Sequence, residues 1–259
     1  MDLFDVIHNH RSIRSYKPDP VPEEVLAEIL KAGIRASSSG NMQAYSIIVT
    51  RDKELREQLY EPHMEQNMVL DAPVLLTFCA DFHRMRQWLR ISNAPDGFDN
   101  FMSFMVAAID TVLVSENVAL AAEAKGLGIC YMGSTLANCD QIGNILKLPK
   151  SVVPVVGFSL GYPNENPAPR DRLPYEGLVH QETYQDYSDD DIREIYYERE
   201  TKGWERYMSV PKLRERIEGS GVENLAQIYT ILKYTKESHR EFAQTVLNYL
   251  QHQDFMNNG

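Results

Sequence analysis

The sequence contains little cysteine and little positive charge. Its three cysteines, Cys79, Cys130 and Cys139, show no metal-ligand spacing. Because their number is odd, at least one of them would stay unpaired if a disulfide formed within the chain. Each stands among apolar neighbours, so we expect buried, reduced thiols in a cytoplasmic protein without a metal site. The formal net charge is −11. Because nucleic acids and anionic membranes bind basic surfaces, this charge predicts neither of them as the main partner.

Several functional sequence patterns are also missing. No apolar run approaches the roughly 20 residues of a membrane-spanning helix, and Met1–Phe4 lacks the basic and apolar regions of a signal peptide. The glycines of Gly126–Gly128 follow a predicted helix instead of a strand, which excludes the dinucleotide-binding fingerprint. No P-loop, nucleophile elbow or catalytic triad occurs. The chain thus offers binding groups without a catalytic set, which suits an enzyme whose cofactor carries out the chemistry.

Three polar residues have no assigned role in the sequence. Asp81 and Asp110 lack an obvious partner. His180 has two interpretations, a general base or a structural imidazole that holds an extended segment in place, and the second is the more frequent case.

The segment His10–Ser15 combines two arginines, one histidine and two serines. It follows a short amphipathic helical pattern and precedes Pro18 and Pro20, which prevent a helix from continuing. Guanidinium groups bind phosphate through a planar fork of donors, and hydroxyls add uncharged hydrogen bonds. The segment is therefore either an exposed basic turn or a phosphate-binding site.

The remaining sequence alternates between strand and helix patterns. Strands are predicted at residues 45–50, 73–80, 129–132 and 152–160, the second of them buried on both faces. Apolar periodicity predicts helices at residues 22–36, 52–59, 81–90, 101–125, 138–147, 186–200, 222–233 and 237–253. The helix at 101–125 is the longest and has no charge from Phe101 to Ile109. The pattern indicates one α+β domain at residues 1–187. A helical extension at 188–259 would pack on the same domain or on a partner subunit.

Six sequence features, taken in order, resemble the nitroreductase family of flavoproteins. The order and intervals look like the oxygen-insensitive NADPH nitroreductase and flavin reductase P branch in particular. The features are His10-Arg11-Ser12-Ile13-Arg14; Ser37-Ser38-Ser39 with Gln43; Gln66 ahead of Ala72-Pro73; Gly126-Leu127-Gly128 with Tyr131-Met132-Gly133; Arg170-x-Arg172-Leu173-Pro174; and Val179-His180-x-Glu182-x-Tyr184.

This resemblance implies a nitroreductase-like α+β fold, with a central mixed, mostly antiparallel sheet flanked by helices. It also implies FMN bound at the interface of a homodimer. The positions that match the family's flavin-binding residues are His10, Arg11, Ser12, Arg14, Ser38, Ser39, Gln66, Tyr131, Met132, Gly133, Ser134, Arg170 and Arg172. Gln66 matches the amide that reads a polar edge of the ring. Arg170 and Arg172 match a distal pair that joins the N-terminal arginines on the phosphate.

The activity implied by the resemblance is a ping-pong reaction. NADPH or NADH passes hydride to flavin N5 and leaves, and a nitroaromatic, a quinone or a free flavin then accepts the electrons. Arg199 matches an arginine that grips the 2′-phosphate of NADPH, with Lys202 and Arg206 as possible helpers. Two alternatives stay open. One is a flavin-binding protein of this fold that transfers or degrades flavin or dehalogenates a substrate, and the other is a non-enzymatic dimeric interaction protein.

Overall fold

The computed structural model describes residues 2–257, which form two compact units. The first unit contains residues 2–168 and residues 242–257, and the second is Pro169–Glu241. Four strands lie in the first unit: β1 Tyr45–Thr50, β2 Val74–Asp81, β3 Gly128–Tyr131 and β4 Val152–Gly161. Its helices before residue 168 are α1 Leu3–His8, α2 Glu23–Gly33, α3 Lys53–Tyr60, α4 Met68–Asp71, α5 His83–Ile91, α6 Phe101–Ala124, α7 Ser134–Ala137 and α8 Cys139–Ile145.

The four strands form one antiparallel sheet in the order β1-β2-β4-β3. Ser12 adds a parallel bridge to Ile129 at the β3 edge. The predicted α+β class with a mixed, mostly antiparallel sheet is therefore confirmed. All eight residues of β2 are buried, as their continuous apolar run predicts for a central strand with both faces covered.

Helix α6 covers one face of the sheet. Its side chains Val114, Val118 and Ala122 join the buried cluster that contains Leu76 and Phe158. Gly126 ends the segment with φ of +78°, the left-handed conformation that the sequence predicts there. A Cβ on Gly33 of α2 would lie 2.1 Å from Val118, so glycine is needed where the two helices approach.

The length of α6 corrects one expectation. The helix has 24 residues and is long and apolar enough to cross a membrane, although no such run was expected. Ten of its residues are buried, and these include the polar Ser103, Asp110 and Thr111. The buried face of α6 packs on the sheet in the core of the first unit.

The second unit is helical. It contains α9 Asp189–Ser209, α10 Pro211–Ser220, α11 Leu225–Gln227, a π-helical segment Ile228–Lys233 and the start of α12 Lys236–His252. Ser188 begins α9 with a capping box to Asp191. The helix predicted to end at Glu200 continues to Ser209, because the segment after it buries a core of its own. That core comprises Ile217, Val222, Leu225 and Ile228, with Trp204 and Tyr207 packed on it.

The chain returns to the first unit within α12. Tyr249, Leu250 and Phe255 are buried in the cluster that contains Phe82 and Phe104. The backbone N–H of Ser151 donates to the Gln253 carbonyl at 3.1 Å. The compact units therefore divide at 168/169 and 241/242. The extent of a flavin-binding domain over residues 1–187 stays a prediction.

Candidate functional site

The donor-rich N-terminal segment lies along β3. The Ile13 N–H donates to the Ile129 carbonyl at 2.8 Å. The buried hydroxyl of Tyr16 contacts the Ile13 carbonyl at 2.6 Å and the Ser159 hydroxyl at 2.7 Å. A backbone bond to β3 and a side-chain bond to β4 thus fix the segment to two strands, which is more order than an exposed basic turn requires.

The guanidinium groups of Arg11 and Arg14 form no ion pair with a carboxylate in the described part of the chain. Arg11 donates to the Asn9 carbonyl at 3.0 Å and to the Asn166 amide oxygen at 2.6 Å, and both acceptors are neutral. Arg14 is exposed, and no residue in the described part of the chain forms a hydrogen bond or ion pair with its guanidinium. A phosphate would therefore meet two cations that no carboxylate neutralises.

Two carboxylates border the same segment. Glu165 accepts hydrogen bonds from the backbone N–H groups of Arg14 and Ser15, the second at 3.0 Å. Glu123 pairs with His10 Nδ1 at 2.8 Å. These contacts occupy the imidazole and the backbone donors, so the guanidinium groups are the donors that remain for an anion. A cleft of about 200 Å³ beside them is lined by Arg11, Glu123 and Glu165.

The loop at residues 37–43, here called the serine loop, is held by a buried carboxylate. Asp110 of α6 is 0% exposed, and it accepts from the Ser38 hydroxyl at 2.6 Å and from the Ser39 N–H at 2.9 Å. The loop continues through Gly40, Asn41 and Gln43, whose φ angles are +56°, +55° and +51°. Two non-glycine residues in the left-handed region indicate a loop that its surroundings constrain. Asp110, which had no predicted role, anchors it.

Gln66 belongs to a second polar cluster, with His63 and Ser134. Its Nε2 donates to the His63 carbonyl at 2.7 Å and lies 3.3 Å from the Ser134 hydroxyl. His63 Nδ1 lies 2.9 Å from the same hydroxyl. The cluster joins the turn before α4 to the segment after β3, so it brings two predicted flavin-binding residues together.

The segment Tyr131–Ser134 follows the end of β3. The Tyr131 hydroxyl donates to Ser115 at 3.1 Å, and the Met132 side chain is buried. Gly133 is exposed, and a Cβ built on it would meet no atom within 4 Å. The backbone here borders open space in which a flat ring could lie.

His63 should make stability depend on pH. Its imidazole is 1% exposed, and burial lowers its pKa to about 4. The unfolded imidazole titrates near 6.5, so its contribution to stability is complete above that pH and is lost as the pH falls towards 4. We expect this one group to cost about 3 kcal/mol of unfolding free energy across that window, at about 1.4 kcal/mol per pH unit.

Urea unfolding between pH 7 and 4 checks this. The variant His63→Gln should lose less stability than the wild type as the pH falls, and the variant His8→Gln, at an exposed histidine, should follow the wild type. Parallel curves for wild type and His63→Gln would contradict the assignment.

The other predicted arginines lie in the second unit. Arg199 donates to Asp171 at 2.8 Å and to the Tyr229 hydroxyl at 2.8 Å, and Arg206 lies 3.7 Å from Asp171. The Asp171 side chain is 4% exposed; burial opposes its ionisation, yet the bond and the charge of Arg199 hold its pKa below the usual value. A cleft of about 510 Å³ is lined by Arg170, Arg172, Arg199, Arg206, Lys233 and tyrosines 207, 229 and 234.

His180 has a structural position. Its Nδ1 accepts from the Gln185 N–H at 3.1 Å, so a proton on this ring sits on Nε2. Nε2 can then donate to the Tyr187 hydroxyl, 3.1 Å away, which in turn donates to the Gly177 carbonyl at 3.0 Å. Both ring nitrogens are committed to the local fold, which favours the structural interpretation.

The structure brings some of the predicted residues together and adds others. Ser12 pairs with Ile129 of β3, this strand leads to Tyr131–Ser134, and Ser134 contacts Gln66. In the described chain no contact joins Ser38 or Ser39 to this group. Sequence reasoning missed His63 and Asp171. The signal for Asp110 was present, because a lone carboxylate on the buried face of an apolar helix needs a partner.

The chemistry of the donors fits a flat ligand with a phosphate. Arginine and hydroxyl donors suit the phosphate, the Gln66 amide suits a polar ring edge, and the space at Gly133 admits a ring.

Comparison with known proteins agrees with this fit. The nitroreductase family model matches residues 7–162. An NADPH-dependent oxidoreductase of Staphylococcus haemolyticus is 36% identical over 215 residues, which cover 76% of this chain and 84% of that protein. An FMN reductase (NADPH) of Bacillus subtilis is 33% identical over 196 residues, which cover 73% of this chain and 77% of that protein. The structure of the NfrA1 nitroreductase of Bacillus subtilis matches with a TM-score of 0.84 and 30% identity, over 99% of this chain and 100% of that one.

The fold and the motifs thus define a protein of the nitroreductase class. The chain belongs to the nitroreductase family, and the predicted resemblance is confirmed. Relatives named NADPH-dependent oxidoreductase and FMN reductase agree with the predicted branch of that family.

Proposed function

We propose that this protein is an FMN-dependent oxidoreductase. It takes electrons from NADPH or NADH and passes them to flat acceptors such as nitroaromatics, quinones or free flavins, by a ping-pong reaction. The observation that carries the proposal is the pair Arg11 and Arg14, two guanidinium groups without a carboxylate partner in a segment fixed along β3. The activities named for the relatives support the same cofactor and electron donor.

Bound FMN would supply the hydride chemistry, and the chain's own residues would bind and orient it. Arg11, Arg14 and Ser12 bind the phosphate end. Gln66, held by the Ser134 hydroxyl, binds a polar edge of the ring, while Gly133 leaves its face uncovered because it has no side chain. No acid or base from the chain is required, since hydride transfer to and from the ring needs alignment above all.

We also propose a homodimer in the cytoplasm. Helix α6 leaves large apolar side chains exposed, among them Met102, Ile109 and Leu113. A second copy of the chain would cover them and could bring its Ser38 and Ser39 to the ring site. The three cysteines are free and buried, which suits a reducing compartment.

The visible absorption spectrum of the purified protein tests the proposal first. A flavin spectrum, with oxidation of NADPH that depends on an added quinone or nitroarene, is the expected result. A colourless protein that takes up no FMN would exclude the function. A flavin-loaded protein that oxidises neither NADPH nor NADH would favour the flavin-transfer alternative.

Arg14→Ala should weaken FMN binding ten- to a hundredfold. One charge-assisted hydrogen bond contributes roughly 1.5–3 kcal/mol, and every 1.4 kcal/mol is tenfold in affinity. Riboflavin lacks the phosphate, so its affinity should hardly change. Titration of the apoprotein with both flavins measures this. Equal losses for FMN and riboflavin would show that Arg14 supports the fold or the ring. That Arg170 and Arg172 bind the same phosphate stays a prediction.

NADPH preference should depend on the cationic cleft of the second unit. Arg199 and Arg206 both line this cleft, and both lie beside Asp171, at 2.8 Å and 3.7 Å. We therefore expect both Arg199→Ala and Arg206→Ala to raise the KM for NADPH by about tenfold, the effect of one lost charged contact, with little change for NADH. Lys202 pairs with Glu198 and is the matched control. An equal effect on both nucleotides would exclude a 2′-phosphate role.

A further inference from the structure

The amide of Gln66 can have only one orientation. One atom of the amide contacts two acceptors of the protein, the His63 carbonyl at 2.7 Å and the Ser134 hydroxyl at 3.3 Å. A carbonyl oxygen accepts and never donates, so the amide nitrogen must face His63. Both N–H donors are then used on the protein side. Gln66 Oε1, an acceptor, is the polar atom left for a ligand.

The Ser134 hydroxyl is in turn held by His63. Both side chains are buried, and His63 Nδ1 lies 2.9 Å from Ser134 Oγ. With a neutral imidazole, one consistent arrangement has Gln66 Nε2 donating to Ser134 and Ser134 donating to His63 Nδ1. Removing the imidazole would leave the hydroxyl without its second partner and Gln66 with a weaker anchor.

The backbone between His63 and Gln66 supports the same arrangement. Met64 and Glu65 have φ angles of +57° and +53°, two consecutive non-glycine residues in the left-handed region. Hydrogen bonds from their N–H groups to Glu61 and Tyr60, at 2.8 Å and 3.0 Å, close the turn. Strain of this kind persists where the surroundings fix the backbone, and it is concentrated at functional sites. The turn directs His63 and Gln66 towards the same hydroxyl.

We propose that His63 is a positioning residue of the flavin site. Through Ser134 it holds Gln66 with Oε1 outward, as an acceptor for the N3–H donor on the polar edge of the FMN ring. This proposal rests on the FMN binding proposed above. In the proposed hydrogen bond, N3–H of the ring is the donor and Gln66 Oε1 is the acceptor.

The test compares FMN with 3-methyl-FMN, which has no N3–H donor. Apoprotein is titrated with each, and quenching of flavin fluorescence gives the two dissociation constants. The wild type should bind FMN about tenfold more tightly, the effect of one net hydrogen bond at the upper end of its range. His63→Leu should reduce this preference to about twofold or less. His63→Gln keeps a polar group that can reach Ser134, so it should retain most of the preference.

Two further variants make the result specific. Ser134→Ala removes the same link by another route and should behave as His63→Leu does, which keeps the test valid if His63→Leu does not fold. Thr50→Val is the control, because Thr50 is also buried and its Oγ1 has no partner in the described chain. It should leave the preference unchanged.

Several outcomes would overturn the proposal. If His63→Leu and Ser134→Ala keep the wild-type preference, the pair does not position Gln66. A wild type that binds both flavins equally would show that Oε1 accepts no bond from N3–H, while FMN binding itself would stand. A wild type that binds neither flavin would exclude the proposed function and this inference with it.

Discussion

Replacing Ile109 by glutamate should convert the proposed homodimer to a monomer. Ile109 is 52% exposed on α6, within a stripe of exposed apolar side chains that includes Met105, Val112 and Leu113. In a symmetric dimer the substitution would bury an unpaired carboxylate twice, and each burial costs several kcal/mol. We expect the dissociation constant to rise at least a thousandfold, because 4 kcal/mol already corresponds to that factor.

Sedimentation velocity at micromolar concentration measures this effect. Leu70→Glu is the matched control, since Leu70 is 38% exposed but lies on α4. It introduces the same charge and should leave the dimer intact. FMN affinity should fall together with the dimer if the second copy completes the flavin site. A stable, flavin-loaded wild-type monomer would contradict the proposed assembly.

Replacing Asp110 by alanine should cost about 3–5 kcal/mol of unfolding free energy. The fully buried carboxylate accepts two hydrogen bonds, at 2.6 Å and 2.9 Å, from Ser38 and Ser39. A hydrogen bond to a charged group contributes roughly 1.5–3 kcal/mol, and both donors would lose their acceptor. Asp110→Asn keeps one acceptor oxygen, so its loss should be about half as large.

Urea unfolding of the apoprotein measures these losses, with the midpoint and the slope read separately. Thr111→Val is the control on the same buried face. Its hydroxyl bonds to the Ala107 carbonyl within α6, so the change should cost less than about 1.5 kcal/mol. If Asp110→Ala costs no more than Thr111→Val, the carboxylate does not anchor the serine loop.

Features encoded by neighbouring residues could be predicted from the sequence. The apolar run at residues 73–80 reads as a buried strand, and the structure has β2 at Val74–Asp81 with every residue buried. Asp52 reads as a helix cap, and it accepts from the Leu55 N–H at 2.8 Å. The motifs at His10–Arg14 and Ser37–Ser39, which match the family's flavin-binding pattern, were recognisable for the same reason, since each is a short contiguous pattern.

Features that depend on distant pairing or on strained backbone could not be predicted. Asp110 and Ser38 are 72 residues apart, and no local pattern encodes their bond. Met64 and Glu65 adopt left-handed backbone without the glycine or asparagine that signals it, so the turn that carries His63 left no trace in the sequence. The continuation of α9 to Ser209 depends on the core formed by residues that follow it.

The second unit is an insertion in the first, because the chain leaves at Ala168 and returns at Phe242. A protease that cuts once between these points would produce two fragments, and both would contain parts of one hydrophobic core. The C-terminal fragment carries Tyr249, Leu250 and Phe255, which pack against Phe82 and Phe104 of the other fragment. We therefore expect the nicked protein to purify as a non-covalent complex. A chain shortened at residue 187 would expose that core and aggregate.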